Sequence, residues 1–200
     1  MPEKNPPPLP DEFLASEFDY IANSAFQANE ERSKAASFFL LSVGSLVAAI
    51  FGAQRLSGPA EEQLIVYRSL AGLFLALTVL GALTVMQLAR LRSAWYESAL
   101  AMNQMKEYVA EQYKGVKLRD AFRWRKETLP RKFKANSISF YTALEVALLS
   151  ALTFGASVYF FLSSIERQDN LWLLSLGAGA SAFVILIVFY NRLLSEKRKA

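Results

Sequence analysis

The chain has 200 residues, 53% of them hydrophobic and 20% charged, and its 22 Lys and Arg against 18 Asp and Glu leave a net charge of +4. Cysteine and histidine are both absent. This excludes disulfides, thiolate metal sites, the usual imidazole ligands of zinc and iron, and the imidazole base of Ser or Cys hydrolases. No phosphate-cradling glycine loop is present, because Gly177 and Gly179 fall inside an apolar run. The composition points to a non-enzymatic protein without metal or cofactor.

Residues 1–10 hold five of the seven prolines, which predicts an extended, solvated tail. Asp11 is a good helix N-cap, and Glu12 suits the first turn. From there Leu14, Phe18, Ile21, Ala25 and Ala28 recur at helical spacing opposite Glu17, Asp19, Asn23 and Glu30. Residues 11–34 are therefore expected to form a cytoplasmic amphipathic helix.

Four runs without Asp, Glu, Lys or Arg follow, at residues 35–53, 69–89, 146–164 and 171–190. At about 1.5 Å per helical residue each spans about 30 Å, the thickness of a hydrocarbon core. Inside lipid every backbone polar group needs an internal partner, so the runs should be helices. The expected fold class is all-α: a polytopic membrane protein with four transmembrane helices and long cytoplasmic helical extensions. The first run begins behind an acidic stretch and is too long for a signal-peptide core, so it is expected to stay as an uncleaved anchor.

Residues 35–91 make the first transmembrane hairpin. Its second helix should continue into the cytoplasmic segment 92–134, since no Gly or Pro interrupts residues 82–114. Leu88, Trp95, Met102 and Val109 repeat every seven residues, with Leu91, Ser98, Met105 and Gln112 as a companion row. Leu91, Trp95, Met102, Met105 and Val109 thus mark a seam, closed either within one subunit or between subunits. Residues 117–134 carry eight Lys or Arg interleaved with Phe122, Trp124 and Phe133. Arg123, Trp124, Arg125, Lys126, Arg131, Lys132 and Lys134 are expected to anchor at the bilayer surface against anionic lipid headgroups. Nucleic-acid binding by the same patch is the weaker alternative. Pro130 should end any helix before the second hairpin, residues 135–192, which leads into a basic tail at 193–200.

Twelve Lys or Arg lie in residues 90–134 and four more at the C-terminal end, Arg192, Lys197, Arg198 and Lys199, against Arg55, Arg68 and Arg167 in the hairpin connections. By the positive-inside rule both termini and the middle segment face the cytoplasm. Glu145 is the one charge between Lys134 and Glu166. A span counted back from Ser164 begins at Glu145, near the headgroups, where an ion pair with Arg90, Arg92, Arg131 or Lys132 competes with a pore-lining or proton-coupling role.

At an offset of 103 residues, 43–53 and 146–156 share six identities in eleven positions, suggesting a parallel duplication of helix plus hairpin. Small residues share one face in each segment: Gly44, Ala48 and Gly52 in the first span, and Ala143, Ala147, Ala151 and Gly155 in the third. Such faces allow close helix approach and should be buried against protein, in the same chain or in another copy.

An amphipathic helix leading into a two-span hairpin, as in residues 11–89, resembles the SLATT organisation of bacterial conflict systems. The resemblance implies a membrane effector of the bacterial inner membrane that oligomerises and permeabilises it. Hydroxyls of the spans, such as Ser42, Ser45, Thr78, Thr84, Ser150 and Thr153, would then line a path between subunits. The competing expectations are a non-conducting anchor that recruits a cytoplasmic protein partner, and a small transporter built around Glu145.

Overall fold

The computed structural model describes residues 11–53, 60–112, 125–165 and 170–195. Residues 1–10 and 196–200, as well as Arg123 and Trp124, lie outside the described residues. Helix α1 is Asp11–Ala53, α2 is Ala60–Gln112, α3 is Ile138–Ser164 and α4 is Leu171–Ser195. All four are long and apolar enough to cross a membrane.

Neighbours in sequence run antiparallel. Phe39 of α1 meets Gly81 of α2, Ser157 of α3 bonds Ala71 of α2, and Gly155 of α3 meets Ser175 of α4. Helices α2 and α3 form the centre of the bundle and each touches the other three helices, while α1 and α4 flank them without meeting among the described residues. The core is built around Phe39, Val85, Leu88, Val146 and Tyr190.

With 43 and 53 residues, α1 and α2 reach about 64 and 80 Å, each more than twice a hydrocarbon core. Neither breaks where its sequence turns from apolar to polar. The surplus forms a two-helix stalk in which α1 turns the Leu14, Phe18, Ile21, Ala25 and Ala28 stripe inward, with Ala25 and Ala28 fully buried. Alanines there let two backbones run close together.

The third helix starts at Ile138, three residues into the expected hairpin of residues 135–192 and seven residues before Glu145. Ser137 is the cause: its backbone is extended and its hydroxyl accepts from the Phe140 amide, which satisfies one of the orphan N–H groups of the first turn. Residues 125–137, around Pro130, are non-helical, with a turn closed by Thr128 N donating to Arg125 O at 3.1 Å. Before α4, Asn170 adopts a left-handed φ of 55°, a conformation Asn tolerates, and its carbonyl receives the Leu173 and Leu174 amides.

Candidate functional site

Three features of the bundle bear on function: how its helices lock together, what its outer surface exposes, and what sits where the stalk joins the spans.

The lock between α1, α2 and α3 centres on Gly81. A Cβ there would lie 2.6 Å from Ser150 Cβ and 2.8 Å from Phe39 Cζ, so only glycine fits. Around it the Ser150 hydroxyl donates to Thr78 O at 3.1 Å, Thr78 Oγ1 and Thr153 Oγ1 share a hydrogen bond of 3.0 Å, and the Ser157 hydroxyl donates to Ala71 O at 2.8 Å. Interhelical hydroxyl bonds of this kind hold spans together where lipid supplies no hydrophobic drive. Thr78, Ser150 and Thr153 therefore spend their hydroxyls inside one chain. Thr84 and Ser42 return theirs to the carbonyls of Leu80 and Phe38 in their own helices.

The two small-residue faces have different surroundings. Ala143, Ala147 and Ala151 are buried, and Gly155 packs so tightly on α4 that a Cβ would approach Ser175 O to 3.0 Å. Gly179 answers from α4, where a Cβ would lie 2.9 Å from Ala151 O. In the first span Gly44 and Ala48 are exposed, with open space around Gly44, and the side-chain position of Gly52 lies outside the described residues. At the matched offset, Val43 and Val146 are both buried, but Ala48 and Ala151 are not alike.

Glu145 is exposed on the outer face of α3, in one stripe with Tyr141, Leu148 and Leu152. The cations expected for it are placed elsewhere: Lys132 pairs with Glu97 at 3.5 Å, Arg92 bonds backbone carbonyls, and Arg90 and Arg131 are exposed. The expected seam residues Leu91, Trp95, Met102, Met105 and Val109 are half-buried, and Met105 and Val109 share a groove with Leu14 and Phe18 of the same chain. The fully buried positions of the α2 stalk are instead Arg92, Ala99 and Asn103, which a hydrophobic pattern does not mark.

Where stalk and spans join, the four helices bring polar groups inward. Arg92 is 7% exposed, with Nε 3.2 Å from Lys132 O, Nη2 3.4 Å from Arg131 O and its guanidinium 4.3 Å above the Trp95 ring. Arg32 of α1 donates to Ser139 Oγ on α3, and the Tyr190 hydroxyl of α4 donates to Ser139 O. Burial, then the neighbouring Arg32, lowers the Arg92 pKa from its ordinary value; burial likewise lowers that of Arg32. Both still carry their charge at neutral pH. Phe133 turns inward here, packing edge-on to Phe140 at 5.7 Å, while Lys126, Arg131 and Lys134 stay exposed and Arg125 and Lys132 are half-buried. Arg32, Ser139 and Tyr190 carry no sequence signal, because Arg32 is one of six consecutive polar residues and Ser139 and Tyr190 stand beside apolar neighbours on other helices. Among the described residues no three His, Cys, Asp or Glu side chains gather as a metal site.

No family model, curated protein or solved structure matches the chain.

Proposed function

We propose that this chain is a subunit of an inner-membrane assembly whose copies meet through the outer face of the bundle and perturb or permeate the bilayer, as a pore-forming effector or channel subunit. The observation that carries the reading is Glu145. It lies six residues into α3 from Ser139, about 9 Å along the axis, on a surface otherwise made of Tyr141, Leu148 and Leu152. A carboxylate facing hydrocarbon costs free energy that falls only if protein or water covers it. A second copy, or a water-filled path between copies, supplies that cover. The exposed Gly44 and Ala48 offer a close-approach face for the same assembly.

Because Thr78, Ser150 and Thr153 are engaged inside one chain, any path between copies would be lined by the outward residues, Glu145 foremost and Ser45 with it. The middle segment, residues 90–134 with twelve Lys or Arg, and the basic C-terminal tail face the cytoplasm by charge asymmetry. A second reading, the non-conducting anchor for a cytoplasmic protein, draws on the apolar groove at the far end of the stalk, lined by Leu14, Phe18, Met105 and Val109.

Reconstitution into vesicles with an entrapped dye or ion indicator separates the two. Wild-type chain should leak and Glu145→Leu should leak several-fold less, with a multimer in the native-membrane mass spectrum. A monomer with tight vesicles would leave only the anchor.

A further inference from the structure

The junction between stalk and spans holds charge that its own side chains do not neutralise. Among the described residues no carboxylate comes within ion-pair distance of Arg32 or Arg92, and Glu97 is paired with Lys132 instead. Arg92 uses two of its donors on carbonyls and Arg32 uses one on Ser139, out of five on each guanidinium. Arg92 is buried and Arg32 half-buried, so the two like charges disfavour each other, and each carries planar donors suited to an oxyanion.

The surroundings favour an anion as well. Helix α3, 27 residues long, begins beside them at Ile138 with its positive end. The hydroxyls of Ser139 and Tyr190 lie in the same cluster. The level is that of the boundary between the apolar runs and the polar stalk, where lipid phosphates lie.

We propose that Arg32 and Arg92, with Ser139 and Tyr190 beside them, form a phosphate-binding site at the mouth of the bundle. The phosphate comes either from an anionic lipid headgroup or from a soluble phosphate that enters from the stalk side. This site is separate from the Glu145 surface, so it holds whether or not the chain conducts.

The test uses the full chain and two probes. In neutral detergent, thermal unfolding is followed with inorganic phosphate against chloride at equal ionic strength. In parallel, the chain is extracted from vesicles of mixed phosphatidylglycerol and phosphatidylcholine, and retained lipid is counted by native mass spectrometry. Wild type should be stabilised by phosphate, or should keep phosphatidylglycerol at least about five-fold over phosphatidylcholine, the worth of about one cation at a headgroup. Stabilisation by phosphate alone identifies a soluble source, and lipid retention identifies a headgroup. Arg32→Gln should abolish the effect, whereas Arg192→Gln, an exposed cation on α4, should keep it. Arg92→Gln should match Arg32→Gln if it folds. Equal retention of both lipids by wild type with no phosphate response would overturn the site. So would the same loss in Arg192→Gln as in Arg32→Gln.

Discussion

Single atoms decide the packing of this bundle. Gly81 has Ser150 Cβ and the Phe39 ring where its own Cβ would stand, whereas Gly44 has nothing within 4 Å. Gly81→Ala should therefore lower stability in detergent by about 1–3 kcal/mol, the usual cost of overpacking, whereas Gly44→Ala should not lower it and gains up to about 1 kcal/mol of helix propensity. Chemical denaturation followed by circular dichroism checks both, and equal effects would refute the three-helix lock. The cap of α3 is a second case. Ser137→Ala removes the acceptor for the Phe140 amide and should cost about 1 kcal/mol in the same measurement.

At the scale of elements, the unusual fact is that α1 and α2 stay helical well beyond the thickness of a bilayer. An isolated polar helix of that length would be marginal in water, so the stalk depends on the α1–α2 contact through Ala25, Ala28 and Ala99. Lys106 Nζ lies 5.8 Å from the Phe18 ring centre across this contact. Since the chain has no native cysteine, Phe18→Cys with Lys106→Cys offers one unambiguous pair. A bifunctional thiol reagent should cross-link the pair within a single chain, giving a monomer-sized band of altered mobility; a dimer-sized band alone would show that the stalk pairs between copies.

Helix type and number were legible because apolar runs of bilayer length are a strong and long signal. The stripe on α1 was legible for the same reason, since five residues keep one period. What escaped notice is polar or small. Arg92, Ala99 and Asn103 centre the stalk seam one step away from the heptad rows, because tight helix pairs favour residues that hydropathy ranks low. Gly81 sits alone rather than in a repeated small-residue pattern, so its role depends on two other helices arriving at it. The start of the third helix at Ile138 falls within the expected hairpin of residues 135–192, and the Ser137 cap fixes the exact residue, a local hydrogen bond that hydropathy does not mark.

For the molecule as a whole, the outer surface is the decisive property. Leu83, Leu152, Leu176 and Val184 are each more than half exposed, at 52%, 57%, 62% and 59%, which in water would make a large sticky patch and in lipid is ordinary. Electron paramagnetic resonance on single-cysteine variants reads this directly, with one spin label at a time on Leu83, Leu176 or Val184 and, as a polar reference, on the exposed Gln104 of the stalk. In vesicles the three bundle positions should collide with dissolved oxygen and be shielded from a water-soluble nickel chelate, while Gln104 should show the reverse. Free access of the chelate to all three bundle positions would contradict the account.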